Sequence, residues 1–120
     1  MNTQVHILNA SGNLDEVLDL LESRARLALL EISQYFQLPN VDITISPCDG
    51  ALKSENGIWG CVSSLYHIDV IVDADRADIF DIIDKHLALV IAHELHHVVR
   101  AATGVEEKTL FQVLVSEGLA

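Results

Sequence analysis

Apolar residues along this chain recur with two periods, and the switches between them divide it into elements. Gln4 to Leu8 alternates, with Val5 and Ile7 on one side and His6 on the other, which predicts a short strand with His6 at the surface. Ser11-Gly12-Asn13 then breaks the pattern, and Asn13 followed by Glu16 forms a capping-box-like helix start. From Leu14 to about Gln37 the period becomes three and four. Leu14, Val17, Leu18, Leu21, Ala25, Ala28, Leu29, Ile32 and Phe36 make one apolar stripe, while Asp15, Glu22, Arg26 and Glu31 solvate the other face. This predicts an amphipathic helix backing a sheet and ended by Pro39.

Alternation returns at Val41 to Ser46, with Val41, Ile43 and Ile45 facing a core, and Pro47 stops the run. Residues 48–64 are rich in turn formers (Asp49-Gly50, Asn56-Gly57, Gly60) and predict hairpins or an irregular rim. Two readings of residues 57–64 are open: an edge strand to which an extended peptide adds main-chain hydrogen bonds, or an ordinary loop. Leu65 to Val72 predicts another strand, with Tyr66, Ile68, Val70 and Val72 on one face and His67 and Asp69 on the other. The aspartates at 73, 75, 78, 81 and 84 are explained by a turn and the first turn of a helix, not by a metal site.

That helix contains the most informative stretch, LALVIAHELHHVVRAA, with Asp75 or Asp78 at its start and Thr103-Gly104 at its stop. Ala88, Ile91, Leu95, Val98 and Ala102 form an apolar stripe opposite His93 and His97. Residues four apart stack on one helix face, so the two imidazoles can serve one ion. Glu94 is set beside their line by a turn of about 100° per residue, within reach of a water at that ion. An H-E-x-x-H pattern on a helix is a zinc-hydrolase signature, the glutamate acting as general base.

A hydrolytic zinc takes three protein ligands and one open position, which makes Glu117 the candidate third. Residues 106–120 read as a further helix with Leu110, Val113 and Leu114 inward, and Glu117 falls between them on the wheel. An unpaired carboxylate in such a stripe costs several kcal/mol, and the partial negative charge of a helix C-terminus adds to the cost. A cation removes both penalties. His96 points about 100° away from His97, so it supports a ligand or meets substrate. Arg100 returns to the metal face, where it pairs with Glu117 or a substrate carboxylate, or else forms a surface pair with Glu106 or Glu107. His86, seven residues before His93 and about 10 Å away along the axis, is too far to share the ion.

HELHHVVRAATG followed by TLFQVLVSEGLA resembles the gluzincin metallopeptidases, in which a glutamate on the helix after HExxH completes the zinc site. AHELHHVVR with VSEGLA resembles, more closely, a bacterial family of predicted zinc-dependent proteases. The likeness covers residues 88–120. It implies Zn²⁺ held by His93, His97 and Glu117, Glu94 as base, and a peptide or protein substrate. Thermolysin-like enzymes also steady the oxyanion with a tyrosine or histidine beyond the glutamate helix, whereas three residues follow Glu117 here, which implies a domain cut after that helix.

Composition narrows the alternatives. The formal charge of −11, with seven Lys and Arg, disfavours nucleic acid and anionic membranes as partners. No run reaches about 18 apolar residues, and a cytoplasmic location with Cys48 and Cys61 reduced is expected. The expected fold class is α+β: one zincin-like domain over residues 1–120, with a backing helix, a short, mostly antiparallel sheet, the HExxH helix and the glutamate helix. The expected function is a zinc metalloendopeptidase. The alternatives are a non-catalytic, zinc-stabilised regulatory or interaction domain, and a metal-free interaction surface.

Overall fold

The computed structural model describes residues 3–48 and 56–103, the last three by backbone alone. Strand β1 (Thr3–Ile7) leads through a single 3-10 turn (Asp15–Val17) into helix α1 (Leu18–Ser33), followed by β2 (Val41–Pro47), β3 (Ile58–Ser64), β4 (His67–Val72) and helix α2 (Ile79–Thr103). The described part is α+β, a four-stranded mixed sheet and two helices.

The sheet order is β1-β2-β4-β3. The expectation of a mostly antiparallel sheet is corrected: β1 with β2 and β2 with β4 pair in parallel, and β3 with β4 is the one antiparallel pair. Parallel neighbours need a crossover, and α1 supplies it between β1 and β2. The chain then passes the inner position, lays β3 at the edge and returns with β4. Sequence explains the placing. Ile68, Val70 and Val72 of β4 are all fully buried, whereas β3 carries polar residues and a glycine. The apolar strand is the one enclosed, and β3 is the edge strand of the first reading for residues 57–64.

Register sets Ile7, Ile45, Val70 and Gly60 in one row across the sheet, with Val5, Ile43, Ile68 and Val62 in the next. These rows face the helices. Leu21, Ala25, Ala28 and Ile32 of α1 and Ile83, Leu87, Ile91, Leu95 and Val98 of α2 complete the core, and α1 and α2 also pack against each other.

Local boundaries differ from the periodic reading in three places. Asn13 does not cap α1; the Asn9 carboxamide oxygen accepts the Leu14 N–H at 2.9 Å and its nitrogen donates to Asp15 at 2.7 Å. The helix stops at Ser33, and Tyr35 and Phe36 close it through N–H bonds to the Ile32 carbonyl. Leu65 and Tyr66 form the β3–β4 turn, so Tyr66 is 67% exposed instead of facing the core. Its N–H donates to Ser64 Oγ. At the start of α2 the Asp78 carbonyl accepts the Ile82 N–H, and its carboxylate pairs with Arg76, consistent with Asp78 as the residue before the helix. The Asp49-Gly50 turn lies outside the described residues.

The face of the sheet turned away from the helices is polar. His6 and Asp42 pair at 3.0 Å, and Asp69 joins three strands by accepting hydrogen bonds from Thr44 Oγ1 of β2 and Ser63 Oγ of β3, both at 2.5 Å, with His67 at 3.1 Å. Ser63 is the residue skipped by the register shift between Val62 and Ser64, a bulge that turns its hydroxyl to the carboxylate. The Ser63 and Thr44 hydrogen bonds, with the nearby His67, hold the Asp69 carboxyl below its ordinary 3.8 against the opposing effect of burial.

Two outcomes follow from this packing. A carboxyl depressed in the folded state stabilises the protein fully above the unfolded value of 3.8 and loses that contribution as pH falls through the lower folded value. Asp69→Asn is therefore less stable than the parent in urea at neutral pH, with the difference shrinking as the solution is acidified below 3.8; a pH-independent difference would refute this linkage. Ile91→Ala, at a fully buried position, lowers unfolding free energy by about 2–5 kcal/mol with an unchanged urea m-value.

Candidate metal-binding and catalytic site

Helix α2 contains neither glycine nor proline over its 25 residues, which lets it run unbroken beneath the edge of the sheet. The spacing of Ile83, Leu87, Ile91, Leu95 and Val98 fixes which side is buried. His93 and His97 then lie on the border of that stripe, half-buried.

The two rings meet edge to face, with centroids 4.6 Å apart and planes at 84°, and their Nε2 atoms are 3.1 Å apart. Neutral imidazoles at that distance share one proton, one ring donating and the other accepting. A divalent cation at the same place would take both nitrogens as electron-pair donors. Two zinc-bound nitrogens at about 2.0–2.1 Å in tetrahedral geometry stand about 3.3–3.4 Å apart; a few tenths of an ångström of ring movement meets that value. The pair fits the ion as a two-nitrogen clamp.

Glu94 points the other way round the helix, into the seam between α2 and β3. It is 7% exposed, and its Oε1 lies 4.0 Å from His93 Nε2. Beside it opens a groove of about 380 Å³ bounded by Ile58, Trp59 and Gly60 of β3 and by Leu89, Val90, His93 and Glu94 of α2. The groove runs under the outer edge of β3, which has no strand neighbour among the described residues, and its apolar walls lead to the carboxylate and the first histidine. Two glycines permit the close approach. A Cβ on Gly60 would stand 2.9 Å from Glu94 Cγ and 3.0 Å from Val90 Cγ1. Gly57, at φ +73°, tucks against Arg76 and Ile82, and its carbonyl accepts the Asp73 N–H at 2.8 Å.

His96 is 1% exposed, its ring 5.6 Å from that of His97. It lies beside the His93–His97 pair, in the protein interior. Arg100 is exposed in the last described turns of α2, and His86 is exposed two turns before His93. Glu117, Glu106 and Glu107, together with the expected second helix over residues 106–120, lie outside the described residues. Among the described residues no group of three His, Cys, Asp or Glu side chains gathers at one point. What these residues bring together is two nitrogens and one neighbouring carboxylate.

From the sequence Gly60 reads only as a turn former, and Leu89 and Val90 stand out in no way. Gly60 carries a signal that was available: a glycine inside a strand marks close approach by another group. Leu89 and Val90 are ordinary apolar residues in an apolar helix, and nothing in their type separates a groove wall from a core position.

No described helix is long and apolar enough to cross a membrane. Searches among curated proteins and among solved structures gave no match. Residues 21–120 match the model of a family described as "Predicted Zn-dependent protease (DUF2268)". The matched span takes in most of α1, the strands β2 to β4 and the whole of α2 with its His93, Glu94 and His97, so this chain belongs to that family of predicted zinc-dependent proteases.

Proposed function

We propose that this chain is a zinc metalloendopeptidase of gluzincin type, a zincin-like domain that hydrolyses bonds in a peptide or protein substrate. The observation that carries the reading is the 3.1 Å approach of His93 Nε2 to His97 Nε2 with the Glu94 carboxylate 4.0 Å from the first of them, at the end of a groove. His93 and His97 hold the ion through Nε2, and Glu117 is the proposed third ligand. Zinc bound there supplies Lewis acidity and a water acidic enough to lose a proton near neutral pH.

The chain's own residues do the rest. Glu94 takes the proton of the attacking water on Oε1 and passes it to the leaving amine nitrogen. Its burial between β3 and α2 restricts the carboxylate to a narrow range of positions, an advantage for a base that must meet first water and then amine. Substrate lies extended along the outer edge of β3, unpaired among the described residues, and exchanges main-chain hydrogen bonds with it. A side chain of the substrate enters the groove against Ile58, Leu89 and Val90. His96 supports His97 from behind, and Arg100 offers a cation to a substrate carboxylate or to Glu117.

Metal content and peptide hydrolysis, measured together, test this reading. Wild type is expected to bind one zinc and to lose hydrolysis on chelation. Glu94→Gln keeps the zinc and loses at least about 100-fold in kcat, whereas His97→Ala loses the zinc itself. Hydrolysis that survives both Glu94→Gln and chelation would overturn the assignment; stoichiometric zinc with no turnover in any preparation would favour the zinc-stabilised domain. Ligation by Glu117 has a separate readout: zinc slows amide exchange over residues 106–120, and an unchanged exchange pattern there removes Glu117 from the ligand set.

A further inference from the structure

We infer that Gly60 is a positioning residue for Glu94: the missing side chain at this one point of the edge strand sets where the carboxylate stands. As a statement about catalysis this rests on the proposed peptidase reading; as a statement about placement it stands on packing alone.

The row Ile7, Ile45, Val70 fills the space between sheet and helices with aliphatic side chains, and at Gly60 the row ends without one. That space is taken by α2. A Cβ at position 60 would lie 2.9 Å from Glu94 Cγ, 3.0 Å from Val90 Cγ1 and 3.4 Å from the Asp69 carbonyl oxygen. The last is ordinary contact. The first cannot stand without a shift, and the second is tight enough that Val90 has to give by a few tenths of an ångström. Val90 is β-branched in a helix, with one strongly preferred rotamer. Glu94 meets the clash in the middle of its side chain, at Cγ, so relief has to swing the carboxylate beyond it. The backbone of α2 cannot retreat instead, because Ile91 and Leu95, on either side of Glu94, are buried in the core.

The three atoms nearest to a Cβ at position 60 belong to Glu94, Val90 and Asp69, and none to His93 or His97. A methyl group at this position therefore separates two properties of one helix: it displaces the carboxylate and leaves the imidazole pair. Glycine at 60 is required by space, since no positive φ is recorded there, in contrast to Gly57.

Gly60→Ala, made in the full chain alongside wild type and Glu94→Ala, tests the inference. Zinc stoichiometry and affinity stay within about twofold of wild type, while kcat for peptide hydrolysis falls by about 100-fold, in the range of losing the general base, with KM changed far less. The packing claim is read without zinc or substrate by a double-mutant cycle. Gly60→Ala lowers the melting temperature of the metal-free protein, and it lowers it clearly less when Glu94→Ala has removed Cγ. Equal shifts in the two backgrounds would overturn the inference, as would Gly60→Ala with wild-type kcat in an active enzyme. If Gly60→Ala does not fold, recovery of a folded protein in the double variant supports the contact, and failure of both overturns it. Should wild type itself lack hydrolysis, the peptidase reading falls, and the cycle still decides the placement of Glu94.

Discussion

The roll of α2 about its own axis is the constraint from which the rest of the site follows. Ile83, Leu87, Ile91, Leu95 and Val98 are all buried in one stripe. Turning the helix by one position would bring several of them to water at about 1.5–3 kcal/mol each. No polar contact at the site approaches that sum. With the roll fixed, His93 and His97 are held at the border of the stripe, and Glu94 is directed into the seam with β3. The histidines need not find one another through a ligand, because the core has already brought their nitrogens within 3.1 Å.

The second partner in the seam is held from both sides. β3 has a single neighbour in the sheet among the described residues, yet Gly57 anchors its start against Arg76 and Ile82 at the entrance to α2, and Ser63 anchors its end to the Asp69 carboxylate. Between these points Gly60 lets strand and helix close to contact distance. An edge strand is usually the loosest part of a sheet. Here three features from different elements restrain it at the position where the groove opens, and the polar face of the sheet contributes to the opposite side through Asp69.

Much of this was legible from periodicity alone. The histidine pair, the burial of Ile91, Leu95 and Val98, the alternation of Val41, Ile43 and Ile45 and the inward face of α1 all follow from spacing, and spacing is what burial selects, although the histidines stand at the border of the stripe and not opposite it. Strand direction was not legible. Pairing depends on which strand takes the inner place, and that was settled by the apolar content of β4 relative to β3, a comparison between segments that no single segment displays. Tyr66 misled because it continues an alternating pattern by two residues into a turn held by Ser64. The groove was hidden for a related reason: Gly60 reads as a turn former until the helix against it is known.

The order of strands also bears on how the molecule comes together. β1, α1 and β2 form a contiguous unit that can assemble from local contacts, but β3 has no partner until β4 has been made, since the strand that joins it to the sheet is the later one in the chain. The hairpin must then add to β2 by its second strand. The groove beside Glu94 thus needs three separate pairings at once, β4 on β2, β3 on β4 and α2 against β3, and loosening any one of them removes a wall from it.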